Sequence, residues 1–296
     1  EKFEAMGTYV EICIAADKSL LSYAKKRIED LEKKWSRFLP YSEITKLNNS
    51  NGNITKVSDD TFLILKRAYE GFKLTKGNFD PTVYGDILRA GYEKTFVDIK
   101  DASSNEVCVN SFKRGMDSIE FISENEVRFG INIGFDPGGI GKGLAADLVA
   151  QELIDRGAKA AMINIGGDLR VINRDLDAVV FEVDICDEHD ETIETISLEN
   201  GALCTSTTKK RKWSLNIAGE TVIQNHIIGS TQDDENATDL ASVISSQAWI
   251  GEALCKDLII NAKANKFELV ESLNFSALIR SNDGSIKKSK NWNNYE

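Results

Sequence analysis

The sequence predicts an α+β protein folded around one intertwined core. Three observations carry that expectation. Helical and strand patterns alternate without a regular βαβ rhythm. No internal repeat, low-complexity tract or evident linker interrupts them. The 296 residues, 42% of them hydrophobic, suffice for a large buried core.

The elements follow in order. Thr8–Ile14 is β-branched and aromatic and reads as a strand. Within Lys18–Phe38, residues Leu20, Ala24, Ile28, Leu31 and Trp35 recur at helical spacing, with Asp17 as N-cap. Tyr41–Ser58 is a polar stretch rich in Asn and Ser. A second helix is expected over Asp59–Leu74, capped by Ser58 or Asp59, with Phe62, Leu65, Tyr69 and Phe72 on one face. Gly77–Pro81 ends it, and Lys94–Gly134 predicts short strands and turns. A third helix follows Gly141, turns Leu144, Ala145, Leu148, Val149 and Leu153 inward, and stops at Arg156–Gly157. Ala160–Ile165, Ala178–Ile185 and Thr192–Leu198 read as strands, and Ser246–Lys263 as the last helix. Asn282–Gly284 marks the turn of a terminal hairpin.

Composition narrows the function classes. Lys and Arg number 36 against 47 Asp and Glu, a net charge of −11. No basic footprint for nucleic acid is present. No run reaches the roughly 18 apolar residues of a membrane-spanning helix. Cys13, Cys108, Cys186, Cys204 and Cys255 are scattered, without a CxxC or a Cys/His cluster, so zinc is not expected. Apolar neighbours such as Val107 and Val109 around Cys108 suggest buried thiols and a reducing, cytoplasmic compartment. The alternative is an extracytoplasmic lipoprotein whose anchor segment has been removed.

The strongest local signal is Phe135–Gly143, Phe-Asp-Pro-Gly-Gly-Ile-Gly-Lys-Gly, placed before a helix. Glycines allow a ligand close to the backbone, the helix N-terminus offers free N–H groups, and Lys142 adds charge; together they favour a phosphate. A Walker A loop would need Gly at 136 and Ser or Thr at 143, but the chain has Asp136 and Gly143. A G-x-G-x-x-G from Gly139 fails at Leu144. A plain strand-to-helix turn remains the alternative. Asn164–Asp168 reads as a second glycine turn, either a hairpin or a ligand loop. His226 is either a packed histidine or a base, and Asp257 either a solvent-facing carboxylate or a ligand. Ser206 lacks the G-x-S-x-G elbow of a hydrolase.

In this order the motifs resemble the ApbE family, the FAD:protein FMN transferases. The family's opening "aMGT" is matched by Ala5–Thr8, and its S-x-x-x-x-x-SE-x-x-x-LN stretch by Ser36, Ser42-Glu43 and Leu47-Asn48. "G-x-FDPTV" is matched by Gly77 and Phe79–Val83, and "D-x-GG-x-x-KG" by Asp136–Gly143 with Asp147 following. "NxGGD" is Asn164–Asp168, the "TS" segment is Thr205-Ser206 leading to Arg211, and "H-I-I" is His226–Ile228. Two places depart from the pattern. Gly229 and Ser230 stand where the family has Asp-Pro, and Asn261 stands for the Thr of "AD-x-x-x-T", beside Lys256-Asp257. Asn remains an oxygen ligand for Mg²⁺.

The resemblance implies one T-fold-like α+β domain over residues 1–296, with mixed sheets, packed helices and an FAD cleft between two lobes. It implies cleavage of the FAD pyrophosphate, attachment of FMN by a phosphoester to a Thr or Ser of an acceptor flavoprotein bearing a D-x-x-[ST]-G-A-[ST]-like target, and release of AMP. Residues at matching positions are Met6, Phe38, Asn78, Phe79, Asp80, Asp136, Lys142 and Ile227 for FAD. His226, Lys142 and Asp257 match catalytic positions; Asp257, Asn261 and the Gly139 carbonyl match the Mg²⁺ ligands. The competing readings are a degenerate FAD-binding protein without transfer, an FAD pyrophosphatase giving FMN and AMP, and a non-flavin interaction domain.

Overall fold

The computed structural model describes residues 1–91, 112–174, 179–217, 220–231, 234–261 and 265–295. Cys108, the 94–111 part of the expected strand-and-turn region, Ala178 and the 262–263 end of the expected last helix lie outside them.

The chain opens with a hairpin of β1 (Lys2–Ala5) and β2 (Thr8–Ala15). Its two-residue turn, Met6-Gly7, has positive φ at both positions, as a turn matching the strand twist requires. Helix α1 (Ser19–Trp35) starts where the Asp17 carboxylate accepts the Ser19 amide at 2.8 Å, so the expected cap is in place. The polar stretch contains a short helix that its composition concealed, α2 (Glu43–Asn48). Ser42 caps it through the Thr45 amide, and Ile44 and Leu47, one turn apart, are buried. After β3 (Ile54–Lys56), α3 (Asp59–Leu74) has the expected bounds, with Ser58 as cap. A short helix the sequence reading lacked, α4 (Tyr84–Arg89), precedes β4 (Ile119–Ser123) and β5 (Glu126–Phe129).

Helix α5 (Gly141–Asp155) then leads to β6 (Ala160–Ile165) and β7 (Asp168–Asn173). Next come β8 (Phe181–Cys186), β9 (Thr192–Leu198), β10 (Gly201–Thr207), β11 (Lys212–Ile217), β12 (Glu220–Asn225) and β13 (Thr238–Ser245). The chain ends with α6 (Ala248–Ile260), α7 (Glu268–Ser272), and the expected hairpin of β14 (Ser276–Ser281) and β15 (Ile286–Lys288). No helix among the described residues is long and apolar enough to cross a membrane.

The chain divides into two compact units. The first holds Glu1–Asp30, Ile140–Thr207 and Ser230–Glu296; the second holds Leu31–Gly139 and Thr208–Gly229. In the first, eight strands form one sheet in the order β1-β2-β6-β7-β10-β13-β14-β15. The α+β class is as expected, but every pairing in this sheet is antiparallel, where mixed sheets were expected. Tight hairpins join β1–β2, β6–β7 and β14–β15, and a hairpin permits only antiparallel neighbours. One face packs Leu169, Leu203, Leu240 and Leu278 against Ile185 and Ile196 of the β8–β9 hairpin and against Trp292. Residues of opposite parity meet α5 and α6: Cys204 donates its thiol to the Ala248 carbonyl at 3.1 Å. At the helical edge, Glu152 of α5 accepts from Tyr23 and Arg27 of α1.

The second unit contains the antiparallel sheet β3-β5-β4 and the β11–β12 hairpin. Phe121 of β4 meets Phe62 of α3 edge to face at 5.4 Å. Trp213 donates its indole N–H to the Ala90 carbonyl at 2.6 Å and packs with Ile87.

Not all thiols are buried. Cys13 and Cys186 are half-buried, Cys204 and Cys255 fully so. Burial pushes the Cys204 thiol well up and Cys255 to about 12. A thiol-reactive disulfide reagent at pH 8 should therefore modify Cys13 and Cys186 in the native protein. Peptide mapping should find Cys204 and Cys255 labelled only after denaturation, since the thiolate is the nucleophile.

Candidate functional site

In the second unit, the residues expected around a flavin sit on loops that are internally braced. Asp136 is buried, and its Oδ2 pairs with Arg37 Nε at 2.5 Å while its Oδ1 accepts the Gly138 amide at 2.7 Å. The Asp136 amide donates to the Pro81 carbonyl at 2.8 Å. Arg37 also lies under the Phe38 ring, 4.1 Å from its centroid, and Phe38 is exposed. Asn48, at the end of α2, holds the segment leading into this turn. It donates to the Phe135 carbonyl at 2.9 Å and accepts the Phe135 amide at 2.7 Å. Gly139 closes the single 3₁₀ turn Pro137–Gly139 that follows.

Asn78–Asp80 form a self-satisfied loop. Gly77 adopts φ +89°, and the Phe79 amide donates to Thr75 Oγ1 at 3.0 Å. Asp80 Oδ1 accepts both the amide (2.9 Å) and the hydroxyl (2.5 Å) of Thr82. Phe79 is 4% exposed, so its ring is a core residue of this unit as well as a candidate wall. His226 and Ile227 follow β12 directly. The Ile227 amide is held by Asn225 Oδ1 at 2.8 Å; Ile227 is buried and His226 half-buried.

In the first unit, Lys142 begins α5 and lies between two carboxylates. Its Nζ is 2.6 Å from Asp168 Oδ2 and 2.6 Å from Glu252 Oε1. Glu252 Oε2 accepts the Gly143 amide at 2.8 Å. Lys256 approaches Glu252 Oε1 at 3.5 Å and donates to Ser206 Oγ at 2.9 Å. The two ammonium and two carboxylate groups balance in charge. Asp168 is placed by the Gly166-Gly167 turn, with φ +61° and +94°, which makes the second glycine cluster a β6–β7 hairpin. Asp147, one helical turn beyond Gly143, caps α6: its oxygens accept the Ala248 amide at 2.8 Å and the Trp249 amide at 2.9 Å.

Burial would lower the Lys142 pKa, but Asp168 and Glu252 hold it above the usual lysine value. Burial likewise pushes Glu252 up, yet the Lys142 and Lys256 charges and the Gly143 amide bring it below the usual glutamate value. Asp168 is raised, by burial and by the neighbouring Glu252 charge, against the pull of Lys142.

Asp257 lies on the same helix as Glu252 and Lys256 and is 2% exposed, so the solvent-facing alternative is excluded. Asn261 caps that helix and donates its amide to the Asp257 carbonyl at 2.8 Å. Met6 occupies the β1–β2 turn, half-buried. Among the described residues no three His, Cys, Asp or Glu side chains group as a metal cluster. Mg²⁺ is commonly held by one or two carboxylates with carbonyls, waters and substrate phosphates. The oxygen donors of Asp257 and Asn261, four residues apart at the end of α6, fit that chemistry.

The geometry brings Phe38 and Asp136 together through Arg37, and Lys142 together with Asp168, Glu252 and Lys256. Sequence reasoning left out Arg37, Asp168, Glu252 and Lys256 as site residues. The available signal was Glu252 and Lys256, spaced i,i+4 on a helix whose other residues, Asp257 apart, are apolar or glycine. Gly143 has a steric role: a Cβ there would lie 2.6 Å from the Ala248 oxygen and 2.9 Å from the Trp249 nitrogen, both backbone atoms. Gly143→Ala should force α5 and α6 apart. It should cost about 1–3 kcal/mol, read as a lowered urea midpoint.

These glycine turns, braced by Asp136 and Asp168, sit in an α+β architecture, and the Phe135–Gly143 turn is neither a P-loop nor a dinucleotide-binding fingerprint. The chain belongs to the ApbE family, whose model matches residues 6–279. Solved structures share the fold along the whole chain. The ApbE protein of Thermotoga maritima is 23% identical, with a TM-score of 0.83, covering 100% of this chain and 98% of its own. The flavin transferase ApbE of Vibrio cholerae is 19% identical, with a TM-score of 0.76 and coverage of 100% and 98%. The apo flavinyl transferase ApbE of Pseudomonas stutzeri is 16% identical, with a TM-score of 0.76 and coverage of 99% and 96%. No curated protein sequence matches this chain significantly.

Proposed function

We propose that the chain, working as one domain over residues 1–296, is an FAD:protein FMN transferase. The observation that carries this reading is the family match over residues 6–279, which spans every candidate site residue from Met6 to Asn261. The reaction cleaves the FAD pyrophosphate, joins FMN through a phosphoester to a Thr or Ser of an acceptor flavoprotein, and releases AMP.

In this reading Phe38, Met6 and Ile227 supply apolar surface for the rings of FAD. Asp136 and the Asn78–Asp80 loop hold its polar groups. His226, when neutral, accepts the proton of the attacking hydroxyl. Lys142 acts through the charge-balanced cluster that ties the α5 N-terminus to α6, so the helix carrying Asp257 is held in place. The proposed oxygen donors to Mg²⁺ are Asp257, Asn261 and the Gly139 carbonyl. When bound, the ion neutralises pyrophosphate charge and makes the phosphorus more electrophilic. The thiols favour a cytoplasmic setting.

The test mixes the purified chain with FAD, Mg²⁺ and a small acceptor domain carrying the D-x-x-[ST]-G-A-[ST] target. Flavin fluorescence on the acceptor after a denaturing gel, abolished by EDTA, is the expected result. AMP release without labelling would favour FAD hydrolysis. Bound FAD with neither product would favour the carrier reading, to which Gly229 and Asn261 lend weight.

A further inference from the structure

We propose that Arg37 is a positioning residue for flavin binding, fixing the plane of the Phe38 ring against the Asp136 carboxylate. The inference rests on the flavin transferase reading and adds a residue that this reading does not use. The side chains of Arg37 and Asp136 are 5% and 8% exposed and meet at 2.5 Å, so the guanidinium is anchored away from bulk water. The same planar group lies 4.1 Å from the Phe38 centroid. Its Nε–H is therefore committed to the carboxylate while its central carbon lies over the ring. Phe38 remains 36% exposed, so part of the ring not covered by Arg37 is open to a flat ligand.

An exposed aromatic ring without such a backing samples several rotamers and must be immobilised when a ligand stacks on it. Arg37 removes that cost beforehand. It also couples the ring to the Pro137–Gly139 turn, because Asp136 Oδ1 holds the Gly138 amide. Lysine cannot perform both tasks. Its ammonium can pair with Asp136, but it has no planar face to lay under the ring.

The test uses the full chain with Arg37→Lys, Phe38→Leu and the double variant. FAD binding is followed by flavin fluorescence, and the FAD KM and kcat are taken from the transfer assay. Arg37→Lys should raise Kd and KM for FAD about fivefold to tenfold, with kcat within about twofold. In the Phe38→Leu background the same change should have no further effect on Kd. The proposal is overturned if Arg37→Lys binds FAD as the wild type does. It is also overturned if the loss persists in full in the Phe38→Leu background, which would mean that Arg37 acts on folding or on Asp136 alone. Should Arg37→Lys lower the melting temperature, the Phe38→Leu comparison still decides between these outcomes. A wild type that binds no FAD fails before any variant is made, and that result strikes the functional reading itself.

Discussion

Glu252→Ala should destabilise the protein by about 3–5 kcal/mol, the cost of breaking a buried ion pair by removing one partner. Glu252 is fully buried and meets Lys142, Lys256 and the Gly143 amide. Without it, two ammonium groups face Asp168 alone, and the first turn of α5 loses its tie to α6. Urea unfolding at pH 7 measures the loss. The pH dependence gives a second check. Glu252 is depressed below 4.5 in the folded state, so its contribution is present above that pH and is lost as pH falls through the folded value. Asp168 has the opposite sign: raised above 3.8, it opposes folding at neutral pH and is relieved on acidification. The gap between wild type and Glu252→Ala should therefore narrow below about pH 4.5. A gap that stays constant down to pH 3 would show that packing, not charge, sets the effect.

Asp257→Ala should abolish FMN transfer, by about a hundredfold or more, while leaving FAD binding measurable. Asp257 is buried in the last turn of α6, beside Lys256, and is the one carboxylate among the proposed Mg²⁺ donors. Asn261→Thr restores the family's usual residue and should leave transfer at least as fast. A wild type with metal-dependent transfer and an equally active Asp257→Ala would remove Asp257 from the metal site. The melting temperature of the variant must be measured alongside, since loss of fold would mimic loss of chemistry.

Local signals were sufficient for much of the fold. The bounds of α3, β6 and β9 follow from apolar periodicity and a serine cap, as read. Helix α2 was concealed because it has only six residues, and its buried Ile44 and Leu47 are one helical turn apart within Asn- and Ser-rich surroundings. The antiparallel order of the large sheet could not be read, because register and neighbour choice depend on contacts far apart in sequence. The candidate site divides in the same way. Glycine turns and their acidic residues announce themselves by composition. The partners that neutralise them do not: Arg37 reaches Asp136 and Glu252 reaches Lys142 only after folding.

The interleaving of the two units bears on how the chain is made. Strand β2 pairs with β6, Val10 opposite Ile165, and the intervening Leu31–Gly139 belongs to the other unit. A ribosome adding about 5–20 residues per second leaves the N-terminal hairpin with an unfilled edge for roughly 7–30 s. Unpaired strand edges template association between chains. Nascent polypeptides stalled before β6 are thus the species most in need of a chaperone, and neither unit can be expressed alone by cutting the gene at one point.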